Sequence, residues 1–255
     1  MNKISAYLIT QDEEARLPRT LEAIRQVADE IVIVDSGSTD ATLEIALKYH
    51  ARIFKRQWIS YANQKNFAQN QCKYQWLLSL DADEVLSPAL IEEINELKVK
   101  GPKYKAYNLK IADILPGIKY KRGTRTYKIM RLYDRDYATM HKDLLTEDRI
   151  TLTKKVPVGL LHAPVFHYSF LDIAHQVAKL NHYTDDVQEV IIKKKKHYSQ
   201  IRLYFEFPRQ FFHYYIMKRY IIHGMWGFIA AMNLAYARFL KIAKYMERTK
   251  LGQHK

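Results

Sequence analysis

Cysteine, glycine and proline are all scarce in this sequence. Its 255 residues include one cysteine, Cys72, with eight glycines and seven prolines. A single cysteine excludes an internal disulfide, and the composition, which lacks any internal repeat, excludes collagen-like, low-complexity and solenoid architectures. The chain opens on a strand-like run rather than on a basic start followed by a long apolar stretch. We therefore expect no secretory signal and a location in the reducing cytoplasm.

Acidic residues are scarce in the C-terminal part of the chain. Lysine and arginine total 41 against 27 aspartate and glutamate, which gives a net charge of +14. From Lys193 onward the acids are Glu206 and Glu247, whereas the first hundred residues mix both signs. This excess favours an anionic partner. The basic run 193–196 lacks any nucleic-acid-binding signature, so an anionic membrane surface is the expected partner and nucleic acid is not.

Strand-like and helical patterns alternate along the first hundred residues. Buried strands are predicted at 4–9, 31–34, 52–54 and 76–80, with helical spacing between them and a polar helix at 60–72. Ser87 and Pro88 are typical of the start of another helix. Strands from an antiparallel extension are predicted at 104–111 and 126–133. The alternation predicts an α/β fold with a mainly parallel, doubly wound sheet.

Helical, aromatic and basic sequence follows residue 168. Between Arg219 and Arg238 no charged residue occurs, and this stretch approaches the roughly 20 residues that cross a bilayer. Glycines and polar residues within it favour an interfacial or docked helix over a crossing. Both alternatives stay open at this point.

Carboxylates follow two of the predicted strands. Asp35 ends the second strand, and Asp81 and Asp83 follow the fourth. Ligands bind beyond the carboxyl ends of parallel strands, and on an extended D-x-D segment both side chains would point the same way. Three acids at one edge of the sheet imply a divalent cation. Asp35 is equally typical of a helix cap, and Asp83 and Glu84 of a solvated turn. No Gly-x-Gly-x-x-Gly or P-loop spacing supports a dinucleotide oxidoreductase or P-loop NTPase.

Three motifs carry a resemblance to a known family. These are the segment after the first strand (10–14), the run IVIVDSGSTDAT (31–42) and the run LSLDADE (78–84). In this order they resemble the family 2 glycosyltransferases, which are inverting, metal-dependent enzymes of the GT-A fold. NQKNFA (63–68), HYSF (167–170) and KLNHYT (179–184) are similar to lipopolysaccharide inner-core β-glucosyltransferases. The resemblance implies a GT-A catalytic domain at 1–168 and a helical extension at 169–255 for acceptor and membrane association.

The resemblance also assigns roles to residues of the donor site. It implies that Asp35 accepts from the uracil ring of a UDP-sugar, with the backbone near Thr10 flanking the base. Asp81 would face the ribose, and Asp83 would bind Mg²⁺ or Mn²⁺. Gln11 departs from the asparagine more usual in the first loop. Lys65 is placed either to meet phosphate or sugar, or as a solvated helix lysine.

The implied reaction needs a general base to remove the proton of the acceptor hydroxyl. By resemblance Glu147 is the candidate, because Leu145, Thr146 and Glu147 stand where the subgroup has a Val-His-Glu-like segment. Asp143 and Asp148 are competitors, and all three acids are also compatible with a surface turn. Three histidines are expected to be core or loop residues: His141, His162 and His167. Three basic residues either meet acceptor phosphates or are strand-surface charges: Arg125, Lys128 and Arg131.

The resulting hypothesis is an enzyme that moves a hexose, with glucose expected, from a UDP-sugar to a lipid-linked saccharide such as the lipopolysaccharide core. It would act as a peripheral protein on the cytoplasmic face of the membrane. One alternative is a nucleotidyltransferase acting on sugar phosphates, which would release pyrophosphate. The other is a non-catalytic membrane-surface binding module, which would leave Asp35, Asp81 and Asp83 without a purpose.

Overall fold

The computed structural model describes residues 3–140, 149–193 and 197–251. The described chain divides into two compact units. One comprises Met1–Asp113 with Thr126–Tyr168, and the other Ile114–Arg125 with Ser169–Lys255. The short segment Ile114–Arg125 therefore belongs to the C-terminal unit. The roles assigned to residues 1–168 and 169–255 stay predictions.

The first unit begins with strands and helices in alternation, as the sequence predicts. The β-branched and apolar runs form strands because they are buried on both faces, and the polar runs between them turn the chain. Its first seven elements are β1 (Ile4–Thr10), α1 (Leu17–Ile24), β2 (Glu30–Asp35), α2 (Thr42–Lys48), β3 (Arg52–Lys55), α3 (Tyr61–Gln71) and β4 (Trp76–Ser79).

The rest of the first unit adds one helix and six strands among the described residues. Ser87 caps α4 by accepting from the Leu90 N–H, Pro88 is its first residue, and Gly101 ends it with a φ of +83°. The elements are β5 (Glu84–Leu86), α4 (Pro88–Lys100), β6 (Ala106–Asp113), β7 (Tyr127–Asp134), β8 (Ala138–Met140), β9 (Ile150–Leu152) and β10 (Gly159–His167).

Eight of these strands form one mixed sheet in the order β3-β2-β1-β4-β7-β6-β10-β5. The first four are mutually parallel, which confirms the predicted doubly wound half. The predicted strands near 104–111 and 126–133 are β6 and β7; they pair antiparallel, and β7 joins them to β4 in the main sheet. Parallel pairing puts the carboxyl ends of β1, β2 and β4 at one edge.

Strands β5 and β10 are the part of the sheet that the sequence did not reveal. They pair antiparallel, with His167 opposite Glu84 in the register. Glu84 is thus a strand residue and almost fully buried, not a solvated turn residue. This pairing brings the end of β10 beside the segment that follows β4.

The second unit is helical. It contains α5 (Ile173–Lys193), α6 (Gln200–Phe212), a π-helical turn (His213–Met217), a 3₁₀ turn (Tyr220–His223) and α7 (Met225–Leu251). Helices α5 and α7 are joined by polar bonds, including Asn233 to Gln176 at 2.9 Å and Lys244 to Asp185 at 2.8 Å. The charge-free stretch is divided between the 3₁₀ turn and the start of α7. Within the described ranges, no helix combines the length and the apolarity that spanning a bilayer requires.

Candidate active site

The segment after β4 forms a tight turn. The Glu84 N–H donates to the Asp81 carbonyl at 3.0 Å, and the Asp81 N–H donates to the Glu84 carboxylate at 3.0 Å. The Thr20 hydroxyl donates to the Ala82 carbonyl at 2.7 Å and holds the turn to α1. The extended D-x-D geometry expected from the sequence is therefore wrong, because these bonds close the chain on itself.

Two buried cations neutralise the first acid of this turn. Lys65 from α3 has no exposed surface, and its Nζ lies 2.5 Å from Asp81 Oδ1. Arg131 from β7 donates to Asp81 Oδ2 at 2.9 Å and to Glu84 Oε1 at 2.7 Å. Burial alone would raise the pKa of Asp81, but the charges of Lys65 and Arg131 outweigh it and hold that pKa well below its usual range. Asp81 is therefore ionised throughout the physiological range.

The second acid of the turn faces a histidine. Asp83 Oδ1 lies 3.5 Å from His167 Nε2, and Asp83 Oδ2 lies 3.7 Å from Arg16. The other imidazole nitrogen of His167 is 3.0 Å from Asp113 Oδ1. Burial lowers the pKa of His167, but hydrogen bonds to Asp113 and Asp83 raise it to about 10 overall. The expectation of a core or loop histidine does not include this contact of His167 with Asp83. The HYSF motif (167–170) is the sequence signal that points to it.

Asp83 offers a carboxylate to a cation, and His167 offers its Nε2 once the ring loses the proton that its raised pKa retains at neutral pH, so metal binding here would release a proton. In the segments that the structure describes, no set of three or more His, Cys, Asp or Glu side chains is placed to hold a metal. Mg²⁺ is usually bound by one or two carboxylates, with substrate phosphates and water completing its shell. Asp113 would orient the imidazole, as carboxylates do behind metal-bound histidines. These donors fit a metal that arrives with a diphosphate, rather than one held by protein alone.

Asp35 does not join the other two acids in a three-carboxylate cluster, contrary to the expectation from the sequence. Its carboxylate is fully buried and accepts four protein hydrogen bonds, from the hydroxyls of Thr10 and Ser38 and from the N–H groups of Gly37 and Ser38. A uracil ring would have to replace one of these bonds. The roles assigned to Asp35 and Thr10 in base recognition stay predictions.

A cleft of about 530 Å³ opens at the carboxyl end of β1. It is lined by Ile9, Thr10, Gln11, Asp12, Glu13, Trp58 and Tyr61. The rings of Trp58 and Tyr61 meet edge to face, with centroids 4.8 Å apart, and both side chains are exposed. Glu13 also pairs with Arg16 at 2.7 Å, and Arg16 reaches Asp83. One arginine thus links the cleft wall to the candidate metal ligand.

Comparison with known proteins identifies the family. The model of glycosyl transferase family 2 matches residues 5–145, more than half of the chain. The chain belongs to this family. It is 35% identical to an uncharacterized glycosyltransferase of Rickettsia bellii, over 96% of this chain and 86% of that protein. It is 30% identical to the lipopolysaccharide core biosynthesis glycosyltransferase LpsC of Rhizobium meliloti, over 96% of this chain and 92% of LpsC.

The fold of this glycosyltransferase is also seen in solved structures. The S. aureus TarS fragment 1–349, in complex with UDP-GlcNAc, matches with a TM-score of 0.50 at 14% identity, covering 98% of this chain and 92% of that one. The GT-A fold predicted from the sequence is thereby confirmed. Because the chain belongs to a family of glycosyltransferases, the two alternative hypotheses, a non-catalytic binding module and a nucleotidyltransferase, are wrong.

Other predicted residues of the glycosyltransferase fall in different surroundings. Lys65 is fully buried, so its interpretation as a solvated helix lysine is wrong. Arg131 is neither a surface charge nor exposed to an acceptor phosphate, the two roles that the sequence had suggested. It is buried against Asp81 and Glu84, and these two carboxylates compensate its charge. Glu147, with its competitors Asp143 and Asp148, lies outside the described residues, as does His141.

The depressed pKa of Asp81 predicts how its contribution to stability depends on pH. A carboxylate whose pKa is lowered by folding contributes stability above its unfolded pKa of about 4, and that contribution is lost as the pH falls further. At neutral pH Asp81→Asn should therefore be less stable than wild type. This difference should shrink from about pH 4 downward, as measured by urea unfolding.

Asp186→Asn is the matched control, since Asp186 is exposed on α5. The Asp186→Asn substitution should change the free energy of unfolding little, both at neutral pH and below about pH 4. A stability difference for Asp81→Asn that stayed constant between neutral and acidic pH would show that Asp81 is not held by the two cations.

Proposed function

We propose that this glycosyltransferase transfers a hexose, with glucose expected, from a UDP-sugar to a lipid-linked saccharide, with inversion at the anomeric carbon. The observation that carries the proposal is the pairing of Asp83 with His167 at the end of β4, next to the cleft at the end of β1. A nucleotide base and a diphosphate need adjacent sites of these two kinds.

The cleft suits a nucleobase because it combines an aromatic pair with polar walls. A base gains about 1–3 kcal/mol by stacking on an aromatic side chain, and Trp58 and Tyr61 are both exposed to receive one. Ile9 and Thr10 also line the cleft. The TarS fragment, which shares the fold, was solved with UDP-GlcNAc. We infer that the cleft holds the uracil ring, with Asp35 supporting the loop behind it.

Asp83 and His167 would hold Mg²⁺ or Mn²⁺, which when bound offsets negative charge on the departing diphosphate. We propose that Asp81 lies near the ribose, as the resemblance implies. Its ion pairs with Lys65 and Arg131 compensate the charge of Asp81, so the anionic nucleotide does not meet an unbalanced carboxylate at this position. Lys65 then acts through Asp81 and positions the turn rather than contacting phosphate.

A carboxylate must take the proton of the acceptor hydroxyl as the new bond forms. Glu147 is the proposed base, supported by its place in the Leu145, Thr146, Glu147 segment. A single displacement, in which the acceptor oxygen attacks the anomeric carbon opposite the departing UDP, inverts the anomeric configuration.

The acceptor is proposed to be a lipid-linked saccharide such as the lipopolysaccharide core. LpsC, a relative over nearly its full length, takes part in lipopolysaccharide core biosynthesis by its name. The basic, aromatic C-terminal unit supports peripheral association with the anionic cytoplasmic face of the membrane, where such acceptors are anchored.

A donor panel tests the proposed function. Purified protein is incubated with UDP-glucose, UDP-galactose, UDP-GlcNAc and GDP-mannose, each with Mn²⁺ or with EDTA, and release of the nucleoside diphosphate is followed. UDP release from UDP-glucose should be fastest and should disappear with EDTA. Turnover confined to GDP-mannose, or unchanged in EDTA, would overturn the assignment of donor or of metal.

Replacement of the proposed base should separate catalysis from binding. Glu147→Gln should leave the Kd of UDP-glucose within about twofold of wild type, while kcat for transfer falls by about 10²-fold or more, since only proton removal is lost. Asp143→Asn and Asp148→Asn are the matched controls and should retain activity. If one of them loses kcat while Glu147→Gln stays active, the base is that aspartate.

A further inference from the structure

Two distant segments of the C-terminal unit converge on one surface, here called the basic tip and formed by residues 114–125 and 213–228. Thr124 Oγ1 lies 3.5 Å from His223 Nε2, and Arg125 donates to the Met217 carbonyl at 3.4 Å. Beneath these contacts Leu115, Ile118 and Ala230 form a small buried cluster. The basic tip is therefore a packed part of the fold.

One close contact shows how tightly the two segments fit. Gly117 has a φ of +74°, and a Cβ built on it would lie 2.1 Å from the Trp226 ring. The indole thus rests directly on the glycine backbone, where any side chain would clash. This contact fixes the loop 114–125 against the start of α7.

The charge of the basic tip is of one sign. Its two segments contain no aspartate or glutamate. Five of its six lysines and arginines are exposed and the sixth is partly exposed: Lys119, Lys121, Arg122, Arg125, Lys218 and Arg219. A group of cations without neighbouring acids attracts a polyanion. Near an anionic membrane, each cation contributes on the order of 1 kcal/mol to the free energy of binding.

Large apolar side chains stand exposed among these cations. Met225 is 67% exposed, Met217 58% and Ile221 47%. Exposed apolar clusters rimmed by polar groups mark surfaces that contact a partner or a membrane. Tyr120, Trp226 and Phe228 are exposed as well, and aromatic rings suit the membrane interface. Single-stranded RNA would match the charges and these rings, but the most exposed apolar side chains, Met225 and Met217, offer no flat face on which a base stacks, which favours the membrane. An anionic membrane matches both the cations and the apolar side chains, because its headgroup phosphates lie directly above the apolar acyl chains.

We infer that the basic tip docks onto a bilayer containing anionic phospholipid, with Met217, Ile221 and Met225 entering the interface and the cations meeting headgroup phosphates. This deepens the proposed membrane association, on which it rests. It assigns the contact to a folded surface rather than to the lysine run 193–196. The docked enzyme would work beside acceptors anchored in the same bilayer.

Vesicle flotation of the full-length protein tests this inference. The probes are vesicles of phosphatidylcholine alone and vesicles that also contain phosphatidylglycerol. Wild type should float only with phosphatidylglycerol vesicles, and less at high salt because of screening. The triple variant Lys119→Gln, Arg122→Gln, Lys218→Gln should bind them about 100-fold more weakly.

Two controls test whether vesicle binding depends on the basic tip itself rather than on the total charge or the total exposed apolar surface of the protein. Lys48→Gln, Lys100→Gln, Lys103→Gln removes the same charge from the first unit and should float like wild type. Met217→Gln, Met225→Gln should weaken flotation by about tenfold or more, because the interfacial side chains are lost. Leu47→Gln, Val99→Gln alters equally exposed positions of the first unit and should have no effect.

Two outcomes would overturn the inference. In one, both variants of the basic tip float as wild type does, or the control Lys48→Gln, Lys100→Gln, Lys103→Gln loses as much vesicle binding as the triple variant Lys119→Gln, Arg122→Gln, Lys218→Gln. In the other, that triple variant loses binding to a random single-stranded RNA while Met217→Gln, Met225→Gln floats normally, which would identify a polyanion site instead. UDP titration without vesicles should be unchanged in all tip variants. Failure of wild type to bind UDP would count against the proposed function alone.

Discussion

The ion pairs of Asp81 with Lys65 and Arg131 are the interaction on which the candidate site depends. A fully buried lysine is tolerated only with a compensating charge, since desolvation of an unpaired ammonium is costly. That requirement brings α3, β7 and the end of β4 to one point, where Glu84 of β5 shares Arg131. The turn that carries Asp83 is therefore fixed by electrostatics before any ligand binds.

This constraint also decides which groups face the ligand. Both oxygens of Asp81 contact buried cations, so Asp83 and His167 are the groups of this turn that we propose for an oxygen and a nitrogen ligand of the metal. Two protein donors are too few to hold Mg²⁺ or Mn²⁺ firmly, and diphosphate oxygens would complete the shell. Each of the two ligands, metal and nucleotide, is therefore expected to strengthen the binding of the other. The metal would then bind firmly only when the donor is bound.

Sequence patterns predicted the parallel half of the sheet and the positions of Asp35, Asp81 and Asp83 at strand ends, because β-branched runs and turn residues are local signals. They did not predict His167 beside Asp83, since that contact depends on the pairing of β10 with β5, some eighty residues apart in the chain. The burial of Lys65 was missed for a related reason: α3 is polar on most of its surface, and only the tertiary charge cluster explains why a lysine points inward. Asp35 is a mixed case: its carboxylate accepts from the N–H groups of Gly37 and Ser38, as expected of a residue in the turn after a strand, but its interpretation as a helix cap is wrong because α2 begins at Thr42.

The most direct test of a metal bound jointly by Asp83, His167 and the donor is a Mn²⁺ titration followed by electron paramagnetic resonance, with and without UDP. UDP should tighten Mn²⁺ binding to wild type by about tenfold or more, and Asp83→Asn should abolish that coupling. Mn²⁺ affinity that is the same with and without UDP, or coupling that survives in Asp83→Asn, would contradict the account.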